Sequence, residues 1–273
     1  MLLLKMAAAV TVLASGSKGN STVVSSSRTR ILVDAGLSCR ETFRRMRACG
    51  LDPQSLDAVL ISHEHSDHVA GLPVLARKLR IPVYMTPQTR SAWKRQLAAH
   101  RVELKGDFRS ETFDPGRSLQ IGDIAISSFT IPHDAVDPVG FCFRADGVKI
   151  AIVTDLGYMP ASVRQHIRGC DLLMIESNHD LEMLRLGPYP WSVKQRVMSR
   201  MGHLSNSALA DFFSGEYDGD AAVLVLAHLS EQNNHPELAR SCAEQALGNR
   251  RTLMQNRLLL ARQSQPLETI TIG

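Results

Sequence analysis

The chain has 273 residues, of which 44% are hydrophobic and 21% charged, and carries a net charge of +4. That is length for one large domain or two small ones, with the composition of an ordinary globular enzyme, and it excludes a disordered, low-complexity or repeat protein. The charge is uneven: residues 28–109 hold 15 Lys/Arg against 8 Asp/Glu, and residues 110–273 hold 14 against 19, so the first half suits a polyanionic partner, although solvated helix faces would give the same count.

From Met1 to Ala14 only Lys5 and Thr11 interrupt an apolar run. It is too short to span a bilayer as a helix. It reads either as a secretory segment cleaved after Ala9 or as a ragged start over about 1–9 that leads into a strand at 10–14. The strand is preferred, because Ser15-Gly16-Ser17-Lys18-Gly19-Asn20 then turns the chain and residues 21–24 and 30–34 continue as strands. Ser38 with Glu41 predicts a capping box for a helix ending at Cys49, which Gly50 stops, with Arg40, Arg44, Arg45 and Arg47 as a basic face.

Residues 58–61 (Ala-Val-Leu-Ile) read as a buried strand, and directly behind them stands His63-Glu64-His65-Ser66-Asp67-His68. In extended backbone residues two apart share a side, so His63 and His65 converge. Neutral imidazole together with carboxylate suits a divalent transition metal, zinc first. A helix at 72–79, a strand at 82–85 and a helix at 87–100 follow. Beyond Phe113 strands come quickly, at 118–121, 124–129, 139–144 and 149–153, with Asp146-Gly147 as a type I′ hairpin turn. Residues 172–175 and 222–226 are continuous apolar runs, as expected of central strands buried on both faces. Helices are expected at 191–198, at 205–213 and from Pro236, and 269–272 alternates like an edge strand. Two sheets packed face to face with helices outside is the layered α/β (α+β) solution to this order. His133, Asp155 and His228 each follow an apolar strand. The five cysteines are odd in number and form no C-x-x-C pair, which favours buried thiols and a reducing, cytoplasmic setting over export.

His63-x-His65-x-Asp67-His68, with the later His133, Asp155 and His228 in that order, resembles the signature of the metallo-β-lactamase fold hydrolases. The resemblance implies a single-domain four-layer αββα sandwich over 1–273 with its site at one sheet edge. It implies two divalent metal ions, zinc or else manganese. One would be held by His63, His65 and His133, the other by Asp67, His68 and His228, with Asp155 bridging. Leu13-Ala14-Ser15-Gly16-Ser17-Lys18-Gly19-Asn20, Ile175-Glu176-Ser177-Asn178-His179-Asp180, Gly187-Pro188-Tyr189-Pro190-Trp191, Gly202-His203-Leu204-Ser205-Asn206 and Ala227-His228-Leu229-Ser230 narrow the likeness to the YycJ/WalJ subgroup. That subgroup implies a phosphodiesterase on nucleic acid, a 5′→3′ exonuclease on double-stranded DNA, in which metal-bound hydroxide attacks phosphorus. His203 is the candidate catalytic residue that is not a ligand, donating a proton to the leaving oxygen or binding the scissile phosphate as a cation, and Asp67 counts as both ligand and catalytic residue. Glu176, Asn178 and Asn20 are candidates to orient these groups from behind. With aromatic residues at only 5%, no stacking platform for bases is evident. The alternatives are a small-molecule hydrolase of the same fold (a lactonase, thioesterase or cyclic phosphodiesterase) and a non-enzymatic signalling partner. No membrane partner is expected, and His100, His166 and His235 have no argued role.

Overall fold

A computed structural model describes residues 8–102, 109–248 and 256–273; residues 1–7 of the expected ragged start lie outside the described residues. A strand already begins at Ala8, earlier than expected. The first sheet takes β1 (Ala8–Ala14), β2 (Ser21–Ser25), β3 (Arg30–Val33), β4 (Ala58–Leu60), β5 (Val83–Met85) and β6 (Ser110–Thr112). The second takes β7 (Ser118–Ile121), β8 (Ile124–Thr130), β9 (Val139–Ala145), β10 (Val148–Val153), β11 (Leu172–Glu176), β12 (Val223–Ala227) and β13 (Arg257–Leu260). A last strand, β14 (Ile270–Ile272), returns to the edge of the first sheet beside β1. The β3-β4-β5-β6 and β10-β11-β12-β13 ladders are parallel, and the remaining pairs are antiparallel.

The parallel strands explain the continuous apolar runs, because neighbouring residues point to different cores. In β10 to β12, Ile150, Met174 and Val225 join Val12, Ile31 and Leu60 of the first sheet in the layer between the sheets. Their neighbours Ala151, Leu173 and Leu224 instead pack on α5 (Ala161–Ile167), α8 (Asn206–Gly215) and α9 (Pro236–Leu247). On the opposite side α1 (Cys39–Ala48), α3 (Leu72–Leu79) and α4 (Pro87–Ala99) cover Leu32, Val59 and Ile61 with Phe43, Leu75 and Trp93. The layers are therefore helix, sheet, sheet, helix, with short α2 (Ser66–Val69), α6 (Leu181–Leu186) and α7 (Trp191–Val197) between them in the chain. Asp146 and Gly147 have φ of 52° and 81°, the pair of positive angles a type I′ turn requires.

Two expectations change in α1. Ser38 Oγ does accept from the Glu41 amide at 3.3 Å, but the Glu41 carboxylate pairs with Arg44 and Arg45 instead of closing the box. Arg45 is buried and donates to the carbonyls of Leu13 and Gln263, so it braces β1 and leaves the basic face to Arg40, Arg44 and Arg47. Among the described residues no helix is long and apolar enough to cross a membrane, and none of the five cysteines is in a disulfide.

Candidate metal centre

Parallel strands deliver their C-terminal ends to one edge of each sheet, and polar side chains collect there. His63, His65, Asp67 and His68 follow β4, His133 follows β8, Asp155 follows β10, Glu176 ends β11 and His228 follows β12. All seven expected donors lie in one cluster. They form the groups His63-His65-His133 and Asp67-His68-Asp155-His228, and a third group joins Asp155 and His228 to Glu176 and His203, the donor atoms of each lying within 4.8 Å of one another. Asp155 stands between the first two: its carboxylate is 3.3 Å from His68 Nε2, 3.4 Å from His228 Nδ1 and 4.0 Å from His133 Nε2.

The outer nitrogens of the imidazoles are held by the protein. His68 Nδ1 donates to Asp34 Oδ2 at 2.8 Å, and His228 Nδ1 donates to Glu176 Oε1 at 2.7 Å. His133 Nδ1 donates to the Gly202 carbonyl at 3.1 Å, and His63 Nδ1 to Ser62 Oγ at 3.0 Å. Ser62 Oγ in turn donates to Asp34 at 2.9 Å. Each contact fixes a ring's direction and leaves Nε2 facing inward. The inward atoms His63 Nε2, His228 Nε2 and Asp155 Oδ2 are buried with no hydrogen-bond partner. Buried polar atoms are rarely left so; imidazole nitrogens and carboxylates converging in this way fit divalent cations.

Asp34, Asp155 and His228 have φ of 59°, 61° and 54°. Left-handed backbone is strained for residues with a Cβ and persists where surrounding contacts over-determine it. For Asp34 and His228 those contacts include the hydrogen bonds just described. Glycine is needed where the loops meet: a Cβ on Gly36 would lie 1.7 Å from the Asp67 carbonyl, and one on Gly157 2.3 Å from the Arg200 carbonyl.

Glu176 joins two parts of the site. Its Oε1 also accepts from His203 Nδ1 at 2.9 Å, and its Oε2 accepts from the Leu156 and Leu204 amides at 3.0 Å. Asn20 Nδ2 donates to Asp67 Oδ2 at 3.1 Å and lies 3.0 Å from His68 Nε2. Asn178 Nδ2 donates to the His228 carbonyl at 2.8 Å. Sequence reasoning missed Asp34. A lone aspartate ending a strand carries little signal, and the parallel β3–β4 ladder that brings it beside the histidine-rich loop is a tertiary feature. His166 stacks on Phe129 and His235 caps α9. His100 lines a groove of 710 Å³ that opens beside His65 and Asp67 and runs between α3 and α4.

Charge in the cluster is finely divided. Burial would strip the protons from His68 and His228, but carboxylates outweigh it. Asp34, Asp155 and Asp67 raise His68, and Asp155, Asp67 and Glu176 raise His228, both well above ordinary imidazole. Burial and the neighbouring His68 push His63 well below, and burial lowers His133. Burial also opposes ionisation of Asp67 and Asp155, yet His68 and His228 hold both carboxyls far below the usual range. Glu176, opposed by burial but favoured by His203 and His228, falls to about 2, and through Glu176 His203 is raised despite its burial.

Residues 29–229 match the family described as Beta-lactamase superfamily domain. Exodeoxyribonuclease YycJ of Bacillus anthracis is 39% identical over 236 residues, 86% of this chain and 88% of that protein. Exodeoxyribonuclease WalJ of Streptococcus pneumoniae is 39% identical over 228 residues, 84% of each. The metallo-beta-lactamase fold protein YhfI from Bacillus subtilis has the same fold, with a TM-score of 0.70 at 20% identity over 96% of this chain and 99% of that one. Zn(2+)-bound PqqB from Methylobacterium extorquens superposes with a TM-score of 0.68 at 17% identity, over 95% and 99%.

Proposed function

Because the chain belongs to the metallo-β-lactamase superfamily, and within it to the YycJ/WalJ exodeoxyribonuclease group, we propose that this metal-dependent hydrolase of nucleic acid is a 5′→3′ exonuclease on double-stranded DNA. The observation that carries the reading is the inward convergence of His63 Nε2, His228 Nε2 and Asp155 Oδ2, buried without a hydrogen bond, though Asp155 Oδ2 lies 3.3 Å from His68 Nε2, while the outer nitrogens of His63 and His228 are held. His63, His65 and His133 would hold one ion, Asp67, His68 and His228 a second, with Asp155 between them. Zinc is the expected metal, and manganese also suits these nitrogen and oxygen donors. When bound, two such ions supply a nucleophile at neutral pH and offset charge on the phosphoryl oxygens.

The chain's own residues do the rest. Asp34 and Ser62 hold His68 and His63 in one tautomer, and Glu176 does the same for His228. Glu176 also takes the Nδ1 proton of His203 in a hydrogen bond, so the other ring nitrogen is the one that presents a proton to the leaving oxygen. His203 keeps 21% of its side chain exposed, which lets it reach substrate. The exposed Arg40, Arg44, Arg47, Arg77, Lys78, Lys94 and Arg95 of α1, α3 and α4 supply cations for the phosphate backbone. The same reading takes 1–273 as one domain, and the free thiols support a cytoplasmic setting.

The test is degradation of duplex and single-stranded DNA and RNA, labelled at either end, with Zn²⁺ and with Mn²⁺. Loss of label from the 5′ end of duplex DNA is expected. Intact substrates under every condition would remove the nuclease reading.

A further inference from the structure

Gly187-Pro188-Tyr189-Pro190-Trp191 has no part in the metal cluster. It forms the turn between α6 and α7, and the apolar side chains on either side of the turn are bare: Leu186 is 82% and Trp191 62% exposed, whereas Trp93 is 1% exposed. The turn is braced from within. The largely buried Lys194 donates to the Arg185 carbonyl at 2.7 Å, and Asp180 caps α6 through the Met183 amide at 2.9 Å. A Cβ on Gly187 would lie 2.4 Å from Asn233 Oδ1 and 2.7 Å from the Met183 carbonyl. Leu186 and Trp191 are the two most exposed of the large apolar side chains among the described residues, and a braced turn that holds them in water offers a contact surface to a ligand.

The other end of α7 abuts the metal centre. The His203 amide donates to the Val197 carbonyl at 2.9 Å, and the Gly202 carbonyl holds His133. Arg196 pairs with Asp134, next to His133, and Arg200 lies over the Tyr158 ring at 4.2 Å. At 1.5 Å per residue, α7 sets Trp191 roughly 9 Å along its axis from Val197, whose carbonyl holds the His203 amide. Charge identifies the ligand. The second half of the chain is acidic, but residues 181–203 carry Arg185, Lys194, Arg196 and Arg200 against Glu182 alone. An apolar tip in a basic segment complements an exposed base face flanked by phosphates better than it complements a copy of itself.

We propose that Leu186 and Trp191 dock the end of a nucleic-acid duplex, Trp191 stacking on the terminal base pair while Arg196 and Arg200, at and just beyond the other end of the helix, meet phosphates nearer the metal centre. The proposal rests on the nuclease reading. Terminal stacking fixes how far the strand reaches into the site, as an exonuclease requires.

Trp191→Ala and Trp191→Phe test it, the side chain being exposed enough to leave folding intact. Four readouts separate the outcomes: KM and kcat on duplex DNA, turnover of bis(p-nitrophenyl) phosphate, emission of a 2-aminopurine in the terminal pair of an uncleavable phosphorothioate duplex, and sedimentation. Trp191→Ala should raise the KM for duplex roughly tenfold, leave the small diester unchanged and abolish the quenching of the terminal 2-aminopurine, with Trp191→Phe restoring it. A duplex KM within about twofold of wild type, an equal loss on both substrates, or a change in self-association without a change in DNA binding would each overturn the proposal. If the wild type degrades no nucleic acid, the nuclease reading falls first and takes this one with it; a wild-type-like Trp191→Ala on DNA that the wild type degrades overturns this one alone.

Discussion

Asp34 is the acceptor on which two imidazoles depend, one directly and one through Ser62. Asparagine there would offer a neutral oxygen and a competing donor. The expected result for Asp34→Asn is metal affinity lower by about 10- to 100-fold with the fold retained, measured by competition with a chromophoric chelator; unchanged affinity would remove Asp34 from the site. His203 makes a different demand. It faces the site with one nitrogen tied to Glu176, so His203→Ala should cut turnover of DNA, whose leaving alkoxide needs a proton, by about 10²- to 10⁴-fold. A p-nitrophenyl diester, whose leaving group needs none, should lose far less. Equal losses on the two would mean that His203 orients substrate without delivering a proton.

At the scale of elements, strands and long helices were largely legible in the sequence, because periodicity and apolar runs are local properties. The exceptions have physical reasons. β6 is polar and is a strand only through its ladder to β5. α5 and α6 are too short to show a period. In α1 a capping glutamate was in reach of two arginines, and the charged hydrogen bonds prevailed. One contact between turns joins the two sheets at the surface. Asp123, at the β7–β8 turn, accepts from Ser26 Oγ at 2.7 Å, Thr29 Oγ1 at 2.5 Å and Arg28 Nε at 3.2 Å in the β2–β3 turn. Burial opposes its charge, but the Thr29, Ser26 and Arg28 donors bring its carboxyl down to about 2 from 3.8. A carboxyl depressed on folding adds stability above its unfolded value and loses it as the pH falls through its folded value. Asp123→Asn should therefore cost roughly 1–2 kcal/mol near neutrality. The gap to wild type should close between about pH 4 and pH 2 in urea titrations. A gap that persists at pH 2 would mean that the contact does not depend on the charge.

At the scale of the molecule, the donors come from both sheets: the β4 loop of the first, and the ends of β8, β10 and β12 of the second. Bound cations would cross-link the layers, and anything that binds the folded chain alone stabilises it. Chelation should lower Tm by several degrees in calorimetry, and an unchanged Tm would argue against ions held by both sheets. Uptake must also displace the protons that surrounding carboxylates hold on His68 and His228. Affinity should accordingly fall as pH drops, with proton release on binding in buffers of differing ionisation enthalpy.

The sequence by itself determined which residues alternate, which runs are buried on both faces, and that one loop is dense in imidazole and carboxylate, since all of these follow from neighbours in the chain. The family likeness carried that as far as the order of His133, Asp155 and His228. Only the tertiary structure decided that Asp34 stands behind His68, that Glu176 serves both His203 and His228, that Asn178 bonds the His228 carbonyl, and that Trp191 stays in water. Such pairings depend on ladder register and on the packing of segments far apart in the chain, where a shift of one residue would turn each side chain to the other face.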